Sequence, residues 1–311
     1  MRRSRLGRSG LHLSPLTLGT AGWGDQVDDD EARRITEAYL SAGGASFSAA
    51  HAYGGGEAEQ MLGRLLDDVV SRDEVVITTK AGVGRTAGGR AVDTSRGGLL
   101  GQLDTSLSRL RTDHVDLWMV HTWSDDVPLE ETLSALEHAV ASGKARYVGV
   151  SNYLGWQLAR AATLLQTVRV PLVADEVELS LLQREAQHDT VPAAEHLGVG
   201  LLAWSPLGRG ALTGKYRHTV PADSRAARRP EAMAPYLDDT SRAVVEAVST
   251  AAEGLGVTAA EVALAWVLAQ PTVASALIGP RTATQLAPLL RATGLQIPAQ
   301  VREALDEVSD V

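Results

Sequence analysis

Short apolar, β-branched runs recur along the chain, each followed by a longer stretch in which apolar residues return every three to four positions. The runs fall at 14–20, 46–50, 74–80, 115–121, 145–152, 172–177, 199–205 and 273–279, and read as strands. The stretches between and after them predict helices over 30–42, 57–70, 95–110, 129–142, 154–167, 188–197, 240–254 and 283–291. Several runs are apolar almost throughout, which suits strands covered on both faces of a parallel sheet. Eight alternating units predict an α/β fold closing into a (β/α)8 TIM barrel; an open doubly wound sheet is the alternative.

Three segments fall outside the repeat. LGRSGLHL, at 6–13, reads as a hairpin with RSG at its turn, set to plug the bottom of the barrel. A loop rich in Gly, Pro and Arg, 208–238, precedes two helices, the second near 258–270, and a last helix at 298–308 is expected outside the barrel. No linker divides the chain, so one domain over 1–311 is expected.

Composition narrows the chemistry. With no cysteine, disulfides, thiolate metal sites and thiol catalysis are excluded, and a net charge of −9 argues against nucleic acid as a partner. No metal site is expected. No run approaches a membrane span and no apolar segment follows the basic start, so a cytoplasmic location away from membranes is the expectation. Oligomeric state leaves no mark on the sequence. Lysine occurs only at 80, 144 and 215 in a chain whose other cations are arginines, which singles out any lysine placed where a point charge or a removable proton matters.

In a parallel barrel the strand C-termini share one rim. Lys80 closes the third run, His121 the fourth, Ser151 and Asn152 the fifth, and Trp204 and Ser205 the seventh, while Tyr53 follows the second on a glycine loop. Each residue taken singly has an ordinary structural role; three ionisable groups from consecutive units on one rim point to a shared site. An ammonium beside a phenol stabilises the phenolate and is expected to lower its pKa, and a histidine can orient a carbonyl oxygen. Such a set suits protonation of the alkoxide formed when a carbonyl is reduced, or the reverse reaction. No side chain supplies a hydride, so a cofactor must. The segment LLAWSPLGRGALTGKY at 201–216 offers an indole, glycine turns and Arg209 for an aromatic ring and a pyrophosphate. IGPRTATQL at 278–286 places Gly279 before Arg281 at a helix start, where a phosphate is favoured.

These segments, with RLGRSGLHLSPLTLGTAGWG, AYGGGEAEQMLGRLL, VVITTKAG, SLSRLRTDHVDLWMVH and GKARYVGVSN, occur in the order typical of the aldo-keto reductases, which the chain resembles over nearly its whole length. The resemblance implies a barrel that binds NADP(H) in extended form, a small-molecule carbonyl substrate, Tyr53 as general acid, Lys80 as its tuner and His121 as carbonyl orienter. Thr20 and Ala21 join the cofactor-binding set. Ser151, Asn152 and position 176 would meet the nicotinamide, Trp204 would stack on it, and Ser205, Pro206, Leu207, Gly208 and Arg209 would wrap the pyrophosphate. Gly279, Arg281, Thr282 and Gln285 would receive the adenosine end, Arg281 and Thr282 holding a 2′-phosphate. Trp23 and Trp123 are expected to shape the substrate pocket.

The sequence also departs from that pattern. Where the family reads F-D-T-A-x-x-Y-G, this chain has FSAAHAYG, so Ser48 stands for the usual aspartate and Ala49 for the threonine. The usual glutamine is Glu176 and the usual adenine-contacting asparagine is Leu289. Ser48 can accept a hydrogen bond from Lys80 but cannot neutralise it, and Glu176 is expected to lie too far across the barrel to do so. Two other readings stay open: a cofactor-binding, redox-sensing or regulatory protein with little turnover, and non-redox acid–base chemistry.

Overall fold

A computed structural model describes residues 1–86 and 89–310. Eight parallel strands close a barrel in chain order: β1 (Leu16–Gly19), β2 (Ser46–Ser48), β3 (Val76–Ala81), β4 (Val115–Val120), β5 (Ala145–Ser151), β6 (Leu172–Glu178), β7 (Gly200–Trp204) and β8 (Val273–Ile278), which returns to β1. Helices α1 (Asp29–Ser41), α2 (Glu57–Asp68), α3 (Arg96–Leu110), α4 (Leu129–Ala141), α5 (Gly155–Thr167) and α6 (Thr190–Leu197) follow the first six strands. Between β7 and β8 lie short helical turns within 208–236, then α7 (Asp239–Leu255) and α8 (Ala259–Leu268); α9 (Ala283–Arg291) and α10 (Ala299–Ser309) complete the chain. The closed, all-parallel order decides for the TIM barrel over the open sheet.

Strand alternation decides which side chains enter the barrel. On β3, Ile77 and Ala81 pack outward into the core under the helices, whereas Val76 joins a second cluster inside the barrel, so Thr78 and Lys80 share its inward phase. The same phase brings Leu117 and Met119 of β4, Ala174 of β6 and Leu202 of β7 inside. The terminal hairpin, Ser4–Arg5 against His12–Leu13, buries Leu6, Leu11 and Leu13 against that interior cluster and closes the amino-terminal mouth. Continuing each strand by one inward step reaches Ser48, Lys80, Glu176 and Trp204. Each polar residue there forgoes the roughly 1.5–3 kcal/mol that a buried leucine contributes. The lower barrel therefore carries the stability and the upper barrel carries the polar groups.

A second hairpin, Val83–Thr86 with Gly89–Val92, rises directly after β3 where the sequence reading had no element. Among the described residues no single helix is long and apolar enough to cross a membrane.

Candidate active site at the carboxyl end of the barrel

Lys80 is completely buried and donates to Ser48 Oγ at 2.8 Å and to Glu176 Oε2 at 2.8 Å. Glu176 is itself almost fully buried, so the two charges form an ion pair inside the barrel. The expectation that Glu176 lies too far across the barrel is thus overturned. Only β4 and β5 separate β3 from β6, and an eight-stranded barrel is just wide enough for its side chains to meet. A lysine and a glutamate, both long, close the gap that two short residues would leave.

The tyrosine is delivered by an extension of β2 along β3: Ala49 N–H donates to Thr78 O at 2.8 Å and His51 N–H to Lys80 O at 2.9 Å. Tyr53 then opens the tight turn Tyr53–Gly56, whose three glycines all have positive φ. Gly56, at φ 103°, is held against Arg109; a Cβ there would stand 2.2 Å from the guanidinium carbon. Arg109 in turn donates to His51 O at 3.1 Å and to Glu59 Oε2 at 3.2 Å, and Thr79 Oγ1 donates to Glu59 Oε1 at 2.7 Å. This partly buried network fixes the turn, and nothing in the periodicity of the sequence announced it. Lys80 Nζ ends 5.7 Å from the centre of the Tyr53 ring, and His121 stands edge-on to that ring at 5.8 Å.

The electrostatics follow from burial. Burial pushes the Tyr53 phenol above its ordinary value; Lys80 pulls it down, but Glu176 pushes it up again. The lowered phenol pKa expected from Lys80 alone therefore does not result. Burial also works against the Lys80 ammonium, yet Glu176 and Tyr53 together hold it above the usual lysine value. His121 falls to about 3, through burial and then the repulsion of Lys80 and of Arg90 on the second hairpin, so its imidazole is neutral at physiological pH.

On the far side of the rim Trp204 Nε1 donates to Asn152 Oδ1 at 2.9 Å, and Asn152 Nδ2 donates to His121 O at 3.1 Å. Asn152 adopts a left-handed backbone, φ 60°, which turns its amide towards the indole. Ser151 Oγ and Asn152 N–H both donate to Glu176 O at 3.0 Å. Thr20 is buried and donates both N–H and Oγ1 to Ser48 O, whereas Ala21 is exposed beside it. Trp23 is buried against the main core, abutting the Tyr53 turn, and its indole N–H has no partner among the described residues. Trp123 packs edge-on to Tyr153 at 5.1 Å and to Trp156 at 5.4 Å; Trp156 is 56% exposed and was missed, because one tryptophan at a helix start carries no periodic signal.

The 205–209 segment, with Pro206 and Gly208 buried and Ser205, Gly208 and Arg209 in left-handed backbone, curls beside Trp204. The Arg209 guanidinium lies 5.8 Å from the Trp204 ring and 5.0 Å from that of Tyr236. Tyr236 donates to Glu178 Oε1 at 2.5 Å, tying the long loop to the end of β6. Leu207 is half-buried beside these residues. Arg281 reaches Asp223 O at 3.0 Å, its own N–H is taken by Gln285 Oε1, and Thr282 caps α9 by accepting from Gln285 N–H; Gly279 is exposed just ahead of them. Burial and the repulsion of Arg209, Arg229 and Arg281 lower the Arg225 guanidinium, which makes no ion pair among the described residues. Four arginines thus surround one patch, with two carboxylates in ion-pair reach, Glu178 at 3.8 Å from Arg209 and Asp223 at 3.8 Å from Arg281. That donor set fits an anionic, phosphate-bearing cofactor. Leu289 packs into the core instead of offering a polar contact.

The rim of this TIM barrel thus gathers a phenol, an ion-paired ammonium, a neutral imidazole and a patch of arginines. The family model described as Aldo/keto reductase family matches residues 15–310. The chain is 35% identical, over 99% of its length and 96% of the relative's, to an uncharacterized oxidoreductase, YrpG, of Bacillus subtilis (strain 168). It is 37% identical to the L-glyceraldehyde 3-phosphate reductase of Escherichia coli (strain K12), over 90% of this chain and 84% of that one. A probable voltage-gated potassium channel subunit beta of Oryza sativa subsp. japonica is 33% identical over the whole chain and 96% of its own length. The chain belongs to the aldo/keto reductase family.

Proposed function

We propose that this protein is a cytoplasmic, NADPH-dependent reductase of aldehydes, ketones or sugar-like carbonyls, with Tyr53 as proton donor. The observation that carries the reading is the convergence of Tyr53, Lys80 and His121 on one rim, with the ammonium fixed by two partners. The arginine patch, Arg209, Arg225, Arg229 and Arg281, supports a cofactor rich in phosphate, and therefore NADP(H) over NAD(H). Bound NADPH supplies the hydride. Trp204 would meet its ring, Ser151 and Asn152 its carboxamide, and the 205–209 turn its pyrophosphate.

The chain's own groups do the rest. The neutral His121 can donate an N–H to the substrate's carbonyl oxygen, orienting it towards Tyr53. As negative charge builds on that oxygen, the Tyr53 hydroxyl gives up its proton to it. The phenolate left behind is stabilised by Lys80, which is already hydrogen-bonded and in place. Trp123 and Trp156 present an aromatic ledge for the substrate body.

The test is a titration of NADPH against tryptophan fluorescence, followed by nicotinamide absorbance with a panel of carbonyls that includes short phosphorylated aldehydes such as glyceraldehyde 3-phosphate, in view of the reductase relative. Quenching and turnover are expected. A second reading, a cofactor-binding regulatory protein, draws on the channel-subunit relative and on the raised Tyr53 phenol. It prevails if NADPH binds and no carbonyl is consumed.

A further inference from the structure

The buried ion pair between β3 and β6 has a second feature: the side chain on β2 that touches the same ammonium is a neutral serine. Lys80 Nζ lies 2.8 Å from Ser48 Oγ and 2.8 Å from Glu176 Oε2, and all three residues are buried. An ammonium buried without a carboxylate would lose its proton, because burial alone lowers a lysine by up to about 3–5 units. A serine hydroxyl accepts a hydrogen bond without supplying charge. Within this pocket Glu176 is the carboxylate in contact with Lys80; the other groups facing the ammonium are the Tyr53 phenol and the neutral His121, with Arg90 beyond His121. Glu176 is also held by its backbone, whose carbonyl accepts from Ser151 and Asn152 at 3.0 Å. The carboxylate is therefore built into the rim, and it cannot swing out without leaving a buried charge unpaired.

We propose that Glu176 is the positioning residue that keeps Lys80 charged and aimed at Tyr53, so that the site's negative charge has moved from β2 to β6 with Ser48 left as a neutral hydrogen-bond acceptor. Glu176 acts on the reaction through Lys80. The inference rests on the reductase reading for its kinetic consequence, but the charge state of Lys80 is a property of the chain alone.

Three variants test it: E176Q, S48D and the double variant S48D/E176Q. Because the chain has three lysines, 80, 144 and 215, selective 13C labelling of lysine gives a spectrum simple enough to follow Lys80 through a pH titration. In the unmodified protein Lys80 is expected to stay charged between about pH 6 and 10, in E176Q to lose its proton within that range, and in the double variant to stay charged again. In steady-state assays kcat of E176Q falls about 10²-fold while fluorescence shows NADPH still bound, and the double variant recovers to within about tenfold of the parent. S48D alone crowds a second carboxylate against an ammonium that Glu176 already pairs, and its kcat is expected to fall below that of the parent. Lys80 titrating identically in E176Q and the parent would overturn the proposal. So would a double variant that folds and binds NADPH yet is no better than E176Q, or a clear rate increase in S48D alone. If the parent reduces no carbonyl at all, the reductase reading falls, and the lysine titration still decides the role of Glu176.

Discussion

His121 lies edge-on to Tyr53 and near two cations, Lys80 and Arg90, and burial with those charges brings its imidazole from the ordinary 6.5 down to about 3. A histidine that orients a carbonyl as a neutral donor leaves no titration near neutrality. The pH profile of kcat/KM, which reports free-enzyme groups, is therefore expected to show no inflection near 6.5; a limb there that H121Q removes would contradict this assignment. The linkage has a definite sign. The unfolded chain binds a proton at His121 below pH 6.5 that the folded chain refuses until about 3, so this residue subtracts stability as pH falls through that window and nothing above it. At Tyr53 the expectation is kinetic: Y53F should lower kcat by about 10² to 10⁴ while leaving NADPH quenching intact, which a stopped assay and a fluorescence titration together would show. That Tyr53, Lys80 and His121 come together on one rim was legible in the sequence, because strand ends and a glycine loop are local signals. The partner of Lys80 was not, because a contact made across the barrel interior depends on closure and side-chain length.

The turn Tyr53–Gly56 shows how an element fixes a residue. Gly55, at φ 67°, has open space where a Cβ would be, whereas Gly56, at φ 103°, has the Arg109 guanidinium there. G55A should cost only the backbone strain of about 1–3 kcal/mol, and G56A should cost more, because Arg109 must also leave His51 O and Glu59. Urea denaturation of the two variants checks the ranking, and equal stabilities would show that Arg109 yields freely. Turnover should fall further in G56A, since the displaced turn carries Tyr53. Among elements, the eight strands and their helices were legible because buried parallel strands are continuous apolar runs. The ladder of Val83–Thr86 with Gly89–Val92 was not: its two arms, VGRT and GRAV, have too few apolar residues in alternation, and the pairing between them is what makes them an element.

At the scale of the whole molecule the telling pair is Asp175 and Glu176, adjacent on β6 and pointing to opposite sides of the sheet. Glu176 finds Lys80 inside the barrel. Asp175 points into the layer between sheet and helices, is fully buried, and neither of its oxygens completes a hydrogen bond among the described residues. Burial raises its pKa well above the ordinary 3.8, and the nearby Glu176 and Asp189 add to that shift; the backbone of Tyr153 and of Glu176 offsets only part. Folding thus favours the protonated form of Asp175. Because the folded chain keeps a proton that the unfolded chain releases above pH 3.8, stability must fall as pH rises from 3.8 to the folded pKa. D175N removes that dependence while keeping the shape of the side chain. The variant and parent should melt together near pH 4, and the variant should melt higher at pH 7 to 8, by about 1.5 °C for each kcal/mol recovered. Equal melting temperatures at both pH values would mean that water or a polar group reaches Asp175 and lets it ionise in place. A variant less stable at every pH would mean that the carboxylic acid itself makes a contact that the amide cannot replace.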